Sequence, residues 1–454
     1  MAREYTNRAG RLPWAAALIA ALGLAACDID EMLEVNDPDV ATPGMIEGPD
    51  ALPFVVRGAI RDFTVAYAGL DNFLLSTAVI TDELHSTGTF PTRTATDRRD
   101  QFPIGVNANT SDGAYNELHR ARRALRDAAA RVAELEGQNA EFRELKALEA
   151  YTYVALGEGF CSAIPISEAR DGEFIYGQPK TTGELFEDAV GLFDEALGSG
   201  ESHLAAIGKA RALLSLGRYE EAAEAVKDVP TEYNYFLYHS DAGLNNQVFA
   251  LQENGRYAVS DREGGNGLPF RSADDPRTPW FRDPNQPDGF DDNYALYKTL
   301  KYRSYGAPVV LASGVEARLI EAEAALNRDD YGTWLGILND LRANVGDLMA
   351  AQVDNYTTHV PDPELPPLTD PGDRDGRVLL MFEERAFWMY LTGHRLGDLR
   401  RLVRHYGFDP EEVFPTGAYH KGGTYGRDVA LPVDFEEANN PNFQLEVCDV
   451  RSVG

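Results

Sequence analysis

Seven aromatic residues, Trp280, Phe281, Phe290, Tyr294, Tyr297, Tyr302 and Tyr305, fall within 26 residues and are interleaved with Asp, Asn, Arg and Lys. A flat ring beside hydrogen-bonding groups suits the apolar face and hydroxyl edge of a sugar, and it suits a peptide side chain equally well. A second set, Glu83, Phe90, Arg93, Gln101 and Phe102, mixes rings with charged and amide groups in the same way. The other role open to each ring is packing inside the fold. Trp280, Tyr294, Tyr297, Tyr302, Phe90 and Arg93 are the residues expected to meet a ligand, with Trp280 or a neighbouring tyrosine foremost.

Covalent chemistry finds no comparable support. The chain has no His-Glu-x-x-His, no glycine-rich phosphate loop and no Gly-x-Ser-x-Gly. Its eight histidines are scattered and its three cysteines show no zinc spacing, so neither a metal nor a cofactor is expected. Nothing distinguishes two of the 73 acidic residues as the carboxylate pair of a glycosidase. Two aspartate-rich runs, Asp370 to Gly376 and Asp288 to Asp292, depart from the EF-hand loop and read as solvated turns. The expectation is a protein that binds without catalysing. Its formal charge of −31 disfavours nucleic acid and anionic head groups, and chiefly keeps the chain soluble.

The most specific run lies near the C-terminus. Glu384 and Arg385 open an aromatic helix, and Gly393-His394-Arg395 leads through Asp398 and Leu399 to Arg400 and Arg401. Arg395 and Asp398, three residues apart, share a helix face, which makes an internal ion pair the expected role. Glu384, Arg385, Arg395 and Asp398 are therefore read as structural.

The elements that must position these residues are helices. Leu118, Ala121, Leu125, Ala128, Val132 and Leu135 recur by threes and fours and form one apolar stripe. Leu185, Ala189, Leu192 and Ala196 repeat the pattern behind a capping box of Thr181 and Glu184. Trp334, Leu338, Leu341 and Val345 do so again. Ala210, Ala212, Leu214 and Tyr219 share their spacing with Ala322, Ala324, Leu326 and Tyr331, similar to the tetratricopeptide helix pair. About a hundred residues separate the two copies, so a regular solenoid is not expected. Residues 240–308, rich in Gly, Pro, Asp and aromatics, and residues 352–378, rich in Pro and Asp, interrupt the helices. The fold class is mainly α, a helix-pair scaffold carrying an irregular, loop-rich lobe.

At the N-terminus, Arg3, Arg8 and Arg11 precede a 13-residue apolar run from Trp14 to Ala26. A span needs about 20 residues, so the run reads as a signal peptide, and no later stretch reads as long and apolar enough to span a bilayer. Leu-Ala-Ala-Cys27 resembles the bacterial lipobox, which implies removal of residues 1–26 and acylation (palmitate) of Cys27. The alternative is an ordinary secretory signal with a chance cysteine. Removing the leader takes the formal charge to −33, which leaves the lipid as the sole membrane contact. Cys161 and Cys448 then remain. They can pair, pinning the C-terminal tail to the middle of the chain, or stay as two buried thiols.

Taken together, these motifs resemble the SusD/RagB family of outer-membrane nutrient-binding lipoproteins. Glu34 to Pro38 matches the family's opening. Leu148 to Ile166, with Tyr151-Thr-Tyr153 and Ile164-Pro165, matches a helix and its exit, and Ala312 to Val345 its paired helices. Leu431-Pro432 and Asn440-Pro441 match its closing segment, while Trp388 and Thr392 stand where the family often has glutamates. The resemblance implies residues 27–52 as a lipidated tether and 53–454 as a SusD-like domain. Within that domain it implies helix pairs about 114–230 and 312–345, an irregular lobe about 240–308, and a C-terminal helix and tail over 379–454. It further implies a place on the outer face of the outer membrane, capping a SusC-like TonB-dependent β-barrel and delivering oligosaccharide or peptide to it. Asp28, Asp30 and Glu31 resemble a surface-export signal, although Asp28 alone also fits inner-membrane retention. Two rival functions are a tetratricopeptide scaffold for outer-membrane assembly and a secreted glycan hydrolase.

Overall fold

The computed structural model describes residues 49–101, 111–170 and 173–454, and residues 52–454 form one unit. The signal peptide, the lipobox with Cys27, the Glu34–Pro38 segment and Phe102 lie outside the described residues. About 52% of the chain is helical.

Leu52–Ile80 corrects one expectation. An 18-residue window of this 29-residue stretch has a mean hydropathy of 1.4, apolar enough to cross a membrane, yet 83% of that window is buried in the protein. The stretch is also broken into helices α1 (Leu52–Ala68) and α2 (Phe73–Ile80). The break has a local cause. At Gly69 a Cβ would lie 2.4 Å from the Val65 carbonyl oxygen, and the Asn72 side-chain amide donates to that same carbonyl at 2.5 Å. Every residue of α2 is buried, so the stretch is a core hairpin.

After the short α3 (Pro91–Asp97) come α4 (Ser111–Glu136), α5 (Ala140–Gly159), α6 (Thr182–Gly198), α7 (His203–Ser215) and α8 (Tyr219–Val226). On α4 the stripe from Leu118 to Val132 is buried, and only its last member, Leu135, is exposed where the helix runs out. The Thr181–Glu184 capping box starts α6, each side chain bonded to the other's backbone N–H. Helices α4 to α8 pack each on the next, with α1 against α4.

The chain then leaves the stack for the lobe, which carries α9 (Gln247–Glu253). It returns through a pair of antiparallel strands, Asn234–Leu237 and Val309–Ser313, that clasp the lobe's two ends in the register Leu237↔Val309 to Asn234↔Ser313. That clasp delivers α10 (Gly314–Asn327) directly onto α8, and α11 (Tyr331–Ala343) packs on α10. The two helix pairs, remote in sequence, therefore stack as neighbours. The lobe is an insertion looped out between two helix pairs that pack on each other.

Close approach within the stack depends on small residues. At Gly208 of α7 a Cβ would lie 2.2 Å from the Phe193 ring and 2.8 Å from Tyr151, both fully buried. Alanine gains about 1 kcal/mol of helix propensity over glycine, but overpacking a rigid core costs about 1–3 kcal/mol. Gly208→Ala is expected to lose about 1–2 kcal/mol net in urea unfolding, a sign opposite to that of an exposed helical glycine.

Helices α12 (Arg374–Trp388) and α13 (Arg395–Tyr406) close the domain against α10, α2 and α5. Their motif is an ion-pair lattice, wired differently from the expected Arg395–Asp398 pair. Asp398 accepts from Arg385 at 3.1 Å and from Arg401 at 2.8 Å. Arg395 instead reaches Asp82, just beyond α2, at 2.6 and 2.8 Å. Two arginines already neutralise Asp398, so the third finds its carboxylate on another element. Arg400 donates to the carbonyls of Gly157, Glu158 and Phe160 and so caps the C-terminus of α5. The Asp370–Gly376 run forms the start of α12: Asp373 caps it through the Gly376 N–H and Asp370 pairs with Arg377.

Candidate functional site

Four segments remote in sequence meet on one side of the lobe. Leu84–Ser86 pairs antiparallel with Tyr257–Val259, setting His85 opposite Ala258. The loop after Pro287 joins them, since Phe290 N–H donates to Gly255 and Asp291 N–H to Thr87. The turn Tyr419 to Gly423 comes from beyond α13, and Gly422 and Gly423 both take positive φ there. His420 anchors this turn by donating Nε2–H to the Ser86 carbonyl at 3.0 Å.

The outer layer of this face alternates rings and cations. Phe90 and Phe290 are 40% and 52% exposed. The Arg256 guanidinium lies 3.3 Å from the centroid of the Phe290 ring, and Arg93 sits 5.1 Å from that of Phe90. Lys421 Nζ is 5.4 Å above Tyr294, while bonding Ser86 Oγ and the Gly88 carbonyl. Tyr294, half-buried, stands edge-on to His420 at 5.2 Å. Rings that each lie beside a cation give this side of the lobe the aromatic and polar surface that an amphipathic polyol or peptide requires.

Beneath it lies a titratable layer. Tyr419 donates to Asp97 at 2.7 Å, and Tyr425 donates to Glu263. Burial drives the His85 imidazole down to about 4, so the ring is neutral near pH 7. Burial also raises Asp97, against the pull of His420. Glu263 is held low because His420, His85 and Tyr425 outweigh its burial.

The expected ligand residues separate into three groups. Phe90 and Tyr294 reach this face. Arg93 stands behind Phe90 and is spent on Asp71, to which it donates at 2.6 to 3.1 Å, so it is a support rather than a free ligand contact. Trp280 and Tyr297 form a separate, half-buried pair, edge to face at 5.3 Å, with the indole N–H bonded to the Arg271 carbonyl. Tyr302 is corrected: it is 2% exposed and its hydroxyl bonds the Leu391 carbonyl, so it is a core residue under the lobe. Arg256, His85, Glu263, His420 and Lys421 escaped the sequence reading. Only the Tyr419-His420-Lys421-Gly422-Gly423 run, polar and aromatic over a double glycine, carried a usable signal.

A cavity of about 460 Å³ lies elsewhere, between α4, the hairpin ending at Ile175 and residues 434–440. Phe174 and Tyr176 project at its rim, exposed and edge-to-face at 4.9 Å. Its polar wall is largely bonded to itself, with Tyr115 on Glu437, Asn440 on the Gly177 carbonyl and Arg122 on Glu168. Groups already satisfied by one another offer a ligand less than the ring-bearing face does. Cys161 and Cys448 form a disulfide with Cα atoms 5.2 Å apart.

No protein-family model and no curated protein matches the sequence. Solved structures do match. One is a SusD/RagB family protein from Bacteroides thetaiotaomicron (TM-score 0.61, 14% identity, covering 86% of this chain and 94% of that one). Another is a SusD-like carbohydrate binding protein from Bacteroides vulgatus (TM-score 0.59, 14% identity, 87% and 97% covered). A third is described as a laminarin binding SusD-like protein (TM-score 0.59, 13% identity, 87% and 98% covered). The chain thus shares the helical fold of solved SusD/RagB family proteins.

Proposed function

We propose that this chain is a non-enzymatic, surface-exposed outer-membrane lipoprotein that binds oligosaccharide and passes it to a SusC-like TonB-dependent transporter. The observation that carries the ligand half is the ring-bearing face of Phe90, Phe290 and Tyr294, flanked by Arg256 and Lys421, on a SusD fold. Neighbours named for carbohydrate and laminarin binding support the sugar class. The lipobox supports the anchor. The Cys161–Cys448 disulfide suits an exported protein, because such bonds persist in oxidising compartments. An open face buries little ligand, so affinity is modest and avidity comes from the transporter beneath it.

Titration of the purified chain against a glycan library, with peptides as the competing class, tests the ligand. Phe290→Ala and Tyr294→Ala are each expected to weaken binding at least tenfold, about 1.4 kcal/mol, with circular dichroism unchanged. Unaltered affinity in both variants, or binding of peptides alone, overturns the reading. Isolation of tagged chain from outer membranes tests the partner, and recovery without any β-barrel transporter overturns that part.

A further inference from the structure

Several buried carboxylates among the described residues are matched with arginine: Asp71 with Arg93, Asp82 with Arg395, Glu158 with Arg211, and Glu384 with Arg277 and Arg342, while Glu149 meets Lys146 and Glu316 meets His394. Asp97 and Glu263 are 1% and 8% exposed and face histidines. One ligand atom each from Asp97, Glu263 and His420 can be chosen so that all lie within 4.8 Å of one another. Asp97 Oδ1 is buried with no hydrogen-bond partner, while Oδ2 is held by Tyr419 and the Ser86 N–H.

The tautomer of His420 gives the second argument. Its Nε2 donates to the Ser86 carbonyl, which leaves the Nδ1 lone pair facing Glu263 Oε1 at 3.3 Å, without the geometry of a hydrogen bond. Glu263 Oε1 already accepts from Tyr425, and two electron-pair donors at that distance need a cation between them, a proton on Nδ1 or a metal ion in its place. Two ligands each 2.0–2.1 Å from a tetrahedral metal are about 3.3 Å apart. A backbone carbonyl fixing the far imidazole nitrogen is the usual outer-shell support of a metal-bound histidine. His85, whose Nδ1 lies 3.8 Å from Glu263 Oε2 and 3.2 Å from Ser260 Oγ, stands beside the set rather than within it.

We propose that Asp97, Glu263 and His420 form a three-ligand binding site for a divalent first-row transition ion, zinc foremost. Imidazole with few carboxylates favours zinc over calcium, which takes six to eight oxygens. The ion is structural: it ties the 419–423 turn to Asp97 at the end of α3 and to Glu263, under the rings. The site stands independently of the sugar reading, since its test uses no glycan.

The purified full-length chain, stripped with chelator, is titrated with Co²⁺ and then Zn²⁺. One Co²⁺ per chain is expected, with visible d–d absorption that Zn²⁺ abolishes. Asp97→Asn and His420→Gln are each expected to weaken binding at least tenfold, whereas His359→Gln, on a remote segment, leaves it unchanged. Labelling of the parent chain with diethyl pyrocarbonate gives a readout free of folding defects in the variants: Zn²⁺ is expected to protect His420 but not His359. No Co²⁺ binding at millimolar metal, equal binding in both ligand variants, or unprotected His420 overturns the proposal.

Discussion

Glu384→Gln is expected to lower stability by about 3–5 kcal/mol, the cost of leaving buried charge unpaired. Glu384 on α12 is 2% exposed and receives two guanidinium groups. Arg277 from the lobe donates to both its oxygens at 2.7 and 3.2 Å, and Arg342 from α11 donates to Oε1 at 2.5 Å. Asp275 gives Arg277 a second partner, so the group of two arginines and two carboxylates is neutral. Glutamine keeps the shape and one acceptor oxygen but leaves one positive charge in the interior. The loss also unties three parts of the fold at once, because helix, lobe and stack meet only at that carboxylate within the group. Asp375→Asn, on the first turn of the same helix and exposed, is expected to cost less than about 1 kcal/mol. Urea unfolding of both variants checks the contrast, and equal midpoints would refute the lattice as a stability element. Arg277 and Arg342 are buried on that same carboxylate, Arg277 being held also by Asp275 and Arg342 by the Pro366 carbonyl.

That lattice shows how far the sequence could be read. The Glu384–Arg401 run reads as one structural helix, because arginine and acidic residues at such density must find one another, whereas the structure splits it between α12 and α13. The run did not announce the partners. Arg395 and Asp398 are adjacent on a helix, yet Arg395 pairs with Asp82, over three hundred residues away. Local spacing describes only the helix's own face, while a buried charge is settled by whichever element packs against it. The helices themselves were legible because a stripe such as Leu118 to Val132 is a one-dimensional signal. Their order in space was not, since the clasp of Asn234–Leu237 with Val309–Ser313 is a pairing of remote strands with no motif. The ring-bearing face follows the same division. Phe90 and Tyr294 were visible as rings in irregular chain, but Tyr302 looks no different in sequence and is buried. The histidine and carboxylate layer was invisible, because His85, Asp97, Glu263 and His420 come from four segments and no spacing rule links them.

Removing the Cys161–Cys448 disulfide is expected to lower stability by about 3–5 kcal/mol, near the upper range for such bonds. The two cysteines are 287 residues apart, so the bond closes a loop of more than half the folded unit, and closure entropy grows with loop length. Both are buried, Cys161 just after α5 and Cys448 in the tail. The tail has other ties. Cys161 N–H donates to the Leu431 carbonyl, Leu431 N–H to Gly159, and Val429 N–H to Val450. Arg400 and Arg404 both donate to the Val453 carbonyl. These bonds hold the tail in place without the disulfide, so the reduced chain keeps its native structure under mild conditions. The expected result is therefore a shift in urea midpoint rather than unfolding at zero denaturant. A reductant should lower the midpoint of the parent chain and leave that of the Cys161→Ser, Cys448→Ser double variant unmoved. An equal response in both would show that the reductant acts elsewhere. A double variant that unfolds in buffer alone would show that the tail's hydrogen bonds carry less than their geometry suggests. The distinction bears on function, because the tail caps α5, and α5 supports α13, whose Arg395 holds Asp82 directly beneath the strand that carries His85.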